Sequence, residues 1–264
     1  MRRLFILAAA TVACAVAAPT VHAVPDFRLS AGGGAIFNTH WFDARLRPEF
    51  KNYQGQDMRP PHGVMAPTEQ TQSAMRQGLF DTRDLTTGGG IYGFFDATFA
   101  VLGAGLVFNN VRQTVAIPDL SDTISPTLAG EEVHRFSFTQ LNLSLLLRYP
   151  FQVGERWSVF PMLGIDGQIA LGDFDDNLRR DFQQIANMGY EMPTLGEFWN
   201  SLWLRVGVGA DINLRGNLFL RGEALYGFKL PSVYDSRMAD FWEPELRGMA
   251  NGLHVRLGIG YRFR

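Results

Sequence analysis

The sequence predicts an all-β protein: one eight-stranded antiparallel up-and-down transmembrane β-barrel with long extracellular loops. Three observations lead there. Side-chain polarity alternates with period two in one segment after another, the signature of strands with chemically opposite faces. Beyond residue 23 no apolar run approaches the ~18 residues that a membrane-spanning helix needs. Charged residues are only 19% of the chain, below the usual ~25%, while Gly (28) and Phe (21) are abundant among 264 residues.

The first element is not part of the barrel. Met1-Arg2-Arg3 is a positive n-region, residues 4–18 are an apolar h-region, and Val21-His22-Ala23 places small residues at −3 and −1 of a cleavage site. These three parts predict a secretory signal peptide over 1–23, with the barrel occupying 24–264. Cys14, the only cysteine, falls inside that segment. Thr11-Val12-Ala13-Cys14 is a loose lipoprotein box whose Thr11 replaces the customary large aliphatic residue, so a spare cysteine in a signal peptide is the simpler account. Without Cys14 the remaining chain has no thiolate chemistry and no disulfide.

Eight strands follow in order. Weaker alternation marks 27–37, 88–96, 99–109 and 157–170. The clearest are 140–149, with Leu141, Leu143, Leu145, Leu147 and Tyr149 on one face, and 201–212, with Leu202, Leu204, Val206, Val208, Ala210 and Ile212. Strand 218–229 continues the rhythm, and 253–263 ends it with Leu253, Val255, Leu257, Ile259, Tyr261 and Phe263. Connections at 96–98, 150–156 and 213–217 are short, whereas those at 38–87, 110–133, 171–198 and 231–250 are long. Short and long alternate strictly, so a meander puts all turns at one end and all long loops at the other. Strands of ~10 residues, tilted, are enough to cross a bilayer. A further hairpin hidden in the first loop would raise the count to ten.

Alternation alone does not say which face points outward, because a soluble eight-stranded ligand-binding barrel with an apolar interior shows the same period. Aromatic placement discriminates. Phe27, Phe95, Phe99, Tyr149, Trp157 and Phe263 all fall on the apolar face beside the short turns, one level of the barrel, as in an interfacial girdle. The apolar face of the last three strands also carries no charge. Apolar is therefore assigned outward, and the polar set inward.

On these features the chain resembles the small eight-stranded outer-membrane barrels of the OmpA, OmpX and OmpW kind. The most specific likeness is the terminal strand from Leu253 to Phe263, whose alternating apolar residues end in aromatics. In such families this pattern, here Tyr261 and Phe263, is the signal read by the barrel-assembly machinery; Arg264 after Phe263 is a small departure. The resemblance implies a bacterial outer-membrane location and contact with outer-membrane lipid.

Candidate chemistry is confined to two places. Arg148, Asp166, Arg205, Asp211, Arg221, Glu223, Lys229 and Arg256 all have inward parity. A barrel of eight strands has room inside only for side chains, so these charges are expected to pair, with Asp166 and Glu223 among Arg205, Arg221 and Arg256, in a packed plug or a narrow anion path. The long loops are the second place. Their aromatics, Trp41, Phe42, Tyr190, Phe198, Phe241 and Trp242 foremost, read as a binding surface for an extracellular partner or a small hydrophobic ligand, or as a lid over the barrel mouth.

Enzymes exist on this architecture, with His beside Ser or Asp at the outer rim. His40, His62, His134 and His254 show no such compact arrangement, and no catalytic role is expected. Asp173, Asp175 and Asp176 lack the spacing of a calcium loop and suit the start of a short helix carrying Phe174, Leu178, Phe182 and Ile185, so neither metal nor cofactor is expected. A formal charge of −2 gives no reason to expect nucleic acid.

Overall fold

The computed structural model describes residues 27–47, 82–119, 127–154, 156–172, 200–230 and 245–263. They form nine strands: β1 (Leu29–Arg47), β2 (Thr82–Ala97), β3 (Ala100–Asp119), β4 (Thr127–Arg148), β5 (Phe151–Val153), β6 (Trp157–Leu171), β7 (Ser201–Asn213), β8 (Leu218–Lys229) and β9 (Glu245–Arg262). All pairings are antiparallel in one sheet of order β4-β3-β2-β1-β9-β8-β7-β6-β5, and β4 also pairs with β6, which closes the ring. β5 continues β4 beyond Tyr149 and Pro150 and pairs only with β6, so the closed wall has eight staves. Pro150 breaks the strand because it has no N–H to give the ladder. The turn expected at 150–156 is thereby shortened to its Gly154 end.

Following paired residues round the wall, Ser30–Asp96–Val101–Leu146–Gly164–Arg205–Gly227–Gly252, returns to β1 at His40 rather than Ser30. That stagger is what tilts the strands of a closed barrel, by ~35–45°.

The two faces separate as period two requires. Leu102, Leu143, Leu145, Leu147, Leu163, Ile165, Leu202, Leu204, Val206, Leu220, Leu257 and Ile259 are exposed around the outside. Such a continuous apolar exterior belongs in lipid rather than water. Phe27, Phe95, Phe99, Tyr149, Trp157, Tyr261 and Phe263 are exposed beside the turns, with Phe99, Tyr149 and Phe151 in ring contact. The fold is a small transmembrane β-barrel; among the described residues no helix is long and apolar enough to cross a membrane.

The interior is packed through glycine. Arg205 lies over Gly227 of the next strand, Phe160 over Gly209, Phe219 over Gly260, Phe94 over Gly32 and His40 over Gly252; a Cβ at any of these glycines would collide with the facing side chain. Large inward groups thus fit because the neighbouring strand offers no side chain at that point.

The strands are longer than the alternation indicated. β1 to β4 run for 19, 16, 20 and 22 residues and β9 for 18, where ~9–11 span the bilayer. The excess lies at the end away from the turns, so 38–47, 82–87, 110–119, 127–133 and 245–250, all expected in loops, are strand. β6, β7 and β8, of 15, 13 and 12 residues, stop lower. Among the described residues the wall is therefore taller over β9-β1-β2-β3-β4 than over β6-β7-β8.

Candidate functional site

The inward charges form two clusters. Nearer the turns, Arg221 binds Asp211 through Nε (2.7 Å) and Nη2 (2.9 Å) and reaches Asp96 through Nη2 (2.5 Å). Arg148 pairs with Asp96 and lies 3.4 Å from Asp211, which Arg262 also approaches at 3.6 Å. Phe94, Phe160 and Phe219 supply aromatic faces to these guanidiniums, with Arg221 4.5 Å from the Phe94 centroid, Arg148 4.5 Å from Phe160 and Arg262 4.7 Å from Phe219. Rings and ion pairs together close the barrel at this level, because each charge desolvated there has an opposite charge or a π-face against it.

One level further from the turns, Glu223 lies 3.7 Å from Arg256 and 3.9 Å from Arg221, and Arg256 Nη1 donates to Ser144 (3.3 Å). Above these, Arg205 holds Asp166 through Nε (3.3 Å) and Nη2 (3.2 Å), and Nη2 also donates to His254 Nε2 at 2.8 Å. His40 Nε2 stands 2.9 Å from His254 Nε2, and the His40 ring stacks on Trp203 at 4.6 Å. His254 Nδ1 lies 3.4 Å from Asp166. Because His254 Nε2 accepts from Arg205, the short Nε2–Nε2 contact has His40 as the donor and His254 as the acceptor. Asn38, Asn109 and Gln140 form a neighbouring belt, with Asn38 donating to Asn109 (3.1 Å) and Asn109 to Gln140 (2.6 Å).

Arg148, Asp166, Arg205, Asp211, Arg221, Glu223 and Arg256 are thus all inside the barrel and all in these clusters; Lys229 is half-buried at the outer end of β8. Asp166 partners Arg205, and Glu223 sits between Arg256 and Arg221. Sequence reasoning missed Asp96, Arg262, His40 and Trp203 as members. Asp96 stands where the expected strand 88–96 meets the turn 96–98 and His40 in an expected loop, yet each keeps the inward parity of its strand. Parity at the last residue of the expected strand for Asp96, and one strand-repeat past Asn38 for His40, was the available signal.

Trp41 and Phe42, expected on a loop, are in β1 and pair with Asn251 and Ala250. Trp41 faces outward beside Tyr226, with ring centroids 6.0 Å apart, and Phe42 is half-buried. Their segment stays extended because β2 and β9 hydrogen-bond to both of its edges, which local polarity does not reveal. His134 and its neighbour Glu132, 3.6 Å apart, are likewise in β4. Tyr190, Phe198, Phe241 and Trp242, the short helix expected after Asp173, Asp175 and Asp176, and residues 1–26 lie outside the described residues. Tyr261 and Phe263 are exposed at the turn end and meet edge to face at 5.8 Å. Among the described residues, no group of three or more His, Cys, Asp or Glu is placed to hold a metal ion.

No family model matches the sequence, and no curated protein does. Solved structures do. The outer membrane protein OprG of Pseudomonas aeruginosa is 12% identical, over 90% of this chain and 96% of that one, with a TM-score of 0.40. The outer membrane protease OmpT of Escherichia coli is 10% identical over 93% and 99%, with a TM-score of 0.38. Ail of Yersinia pestis, an attachment invasion locus protein solved with the heparin analogue sucrose octasulfate, is 11% identical over 88% and 99%, at 0.31. The chain is similar to these small outer-membrane β-barrels in fold. One expectation is corrected by them: since barrels of this kind include the protease OmpT, the inference that this chain has no enzymatic role does not stand.

Proposed function

We propose that the protein is an integral protein of the bacterial outer membrane, exported by a signal peptide removed after Ala23, that acts by binding or adhesion through its outward-projecting part. The terminal strand ending in Tyr261 and Phe263 is its signal to the barrel-assembly machinery, and its apolar exterior meets outer-membrane lipid. The observation that carries this reading is the pairing of a filled lumen with a raised wall. Arg205, Arg221, Asp166, His254, Phe160 and Phe219 are completely or almost completely buried across the barrel, while five strands continue past any bilayer requirement. A barrel closed along its axis and extended beyond the membrane is built to present a surface.

The test uses the full chain expressed in a bacterial host. The outer-membrane fraction should contain a species whose gel mobility shifts on boiling, and planar bilayers holding it should show no unitary conductance steps. Removing 48–81 should leave the shift intact and abolish retention of expressing cells on immobilised glycans and matrix proteins. Soluble, unshifted protein overturns the membrane assignment, and regular conductance steps overturn the sealed lumen.

A second reading is OmpW-like passage of small hydrophobic molecules through the barrel mouth. It draws on the difference in wall height: β8 pairs with β9 only as far as Phe228–Asn251, whereas β9 runs on to Glu245 against β1. Among the described residues the β8–β9 ladder ends there, which is where a sideways route to lipid would be sought. Uptake of a hydrophobic fluorophore by proteoliposomes above the rate of empty vesicles favours it.

A further inference from the structure

In the outer half of the lumen a single nitrogen lone pair serves several donors. Around His254 Nε2 stand Arg205 Nη2 at 2.8 Å, His40 Nε2 at 2.9 Å and the Gln168 amide nitrogen at 3.4 Å. A guanidinium only donates, so His254 Nε2 is bare and the ring carries its proton on Nδ1, which lies 3.4 Å from Asp166. The arrangement lasts only while that nitrogen stays bare. A first proton on His254 can be answered by His40 changing tautomer, but not by Arg205, which has no acceptor to offer. Once both rings are protonated, His40, His254 and Arg205 bring nothing but N–H groups to one point. The conflict is stereochemical, and no charge placed elsewhere returns a lone pair to Nε2.

Burial decides which group yields. Arg205 and His254 are fully buried, and Arg205 is tied to Asp166 and lies 3.5 Å from the Gly252 carbonyl. Gln168 can accept from a protonated His254 by turning its amide through half a rotation. His40 is only half-buried, at the start of the outward extension of β1, and its ring stacks on Trp203. Trp203 itself is held by its Nε1 donating to Ser201 (2.9 Å) and by Arg205 4.6 Å from its ring. The charges facing the pair favour release. Arg205 and Arg256 both act on His254, Lys229 pairs with Trp203 on β8, and Asp166 is the carboxylate in contact. On β2, Thr86 opposite His40 is uncharged, and Asp84 beyond it is bonded to Gln113. We propose that His40 is an acid-released latch: at neutral pH it covers Trp203 and the Arg205–Asp166 pair, and with both imidazoles protonated it swings off them and opens the outer half of the lumen. The proposal rests on the filled-lumen reading above and adds a condition to it, since the Arg221 layer nearer the turns stays shut.

The experiment follows the folded mature chain in detergent as pH falls through the ordinary imidazole range, ~6.5. Acrylamide quenching of Trp203, taken as the difference between wild type and Trp203→Phe, should rise several-fold across that range. His40→Phe keeps a ring on Trp203 and cannot titrate, so its quenching should stay at the neutral-pH level throughout. His134→Gln, on the outer part of β4, should follow wild type. Quenching in wild type that ignores pH, or an equal rise in His40→Phe, overturns the latch. Nitrogen NMR of histidine-labelled wild type checks the starting state without any substitution. His254 should be the Nδ1–H tautomer at neutral pH, and a proton on its Nε2 there overturns the proposal. Planar bilayers should stay silent at both ends of the range; conductance steps that appear only in acid would overturn a latch confined to the outer half. The heat-dependent gel shift is recorded for each variant. Its absence in wild type defeats the membrane reading, whereas a normal shift with pH-blind Trp203 defeats this proposal alone. Should His40→Phe lack the shift, His40→Gln takes its place, with the same indifference to pH expected.

Discussion

At the scale of single residues, the inward glycines and one outer carboxylate decide what can be changed. A Cβ on Gly260 would run into the Phe219 ring, whereas one on Gly222, on the outward face, meets only Leu257 Cδ2 at 3.5 Å. Gly260→Ala should therefore destabilise the barrel by ~1–3 kcal/mol through overpacking, while Gly222→Ala should be neutral or slightly stabilising. Urea titration of the folded protein in lipid vesicles measures both. Asp84, near the outer end of β2 and above the bilayer, has its carboxyl pushed up to about 6 by burial, against the opposing hydrogen bond with Gln113. The folded state thus holds this proton at pH values where an unfolded chain, with an ordinary carboxyl near ~3.9, has lost it. Asp84 accordingly favours folding most below pH ~4, and that contribution is lost as pH rises through about 6. The urea midpoint of wild type should fall between pH 4 and 7 by more than that of Asp84→Asn; parallel pH profiles would show that Asp84 does not titrate with folding.

At the scale of elements, the strands are legible in sequence only where they touch two different solvents. Between Leu202 and Asp211 one face meets lipid and the other the charged lumen, and the polarity contrast is complete. Further out, at Thr39-His40-Trp41-Phe42, outward Thr39 is polar while inward Phe42 is apolar, so the contrast is broken and the strand continues unseen. This explains why the girdle and the lumen charges could be assigned by parity, while the raised wall, Trp41 and His40 could not. Pairing with β2 and β9, not local pattern, keeps that segment extended. The same division predicts the cost of a misplaced charge. Leu204→Arg, outward and within the membrane, should lower stability by ~2–4 kcal/mol in vesicles. Thr114→Arg, on the extension of β3, should change it by less than ~0.5 kcal/mol. Equal costs would mean the apolar exterior does not meet lipid at Leu204.

At the scale of the whole molecule, the barrel joins a closed wall to an interior in which every level is occupied. The turn end is held by Arg148, Arg221, Asp96 and Asp211, the middle by Glu223 and Arg256, and the outer half by Arg205, Asp166 and the two histidines. These levels connect seven of the eight staves through side chains as well as through the backbone ladder, and the Asn38–Asn109–Gln140 belt brings in β3. The glycines opposite the large inward groups have a consequence for how such a wall can be assembled. Sliding one strand by two residues restores every apolar side chain to lipid and every polar one to the lumen, so polarity is blind to that error. Shape is not. Displaced by two residues, Arg205 would face Leu225 or Lys229 in place of Gly227, and His40 would face Ala250 or His254 in place of Gly252. The glycines act as notches into which only the correct tooth drops, a mechanical proofreading of register that begins as soon as neighbouring strands zip together.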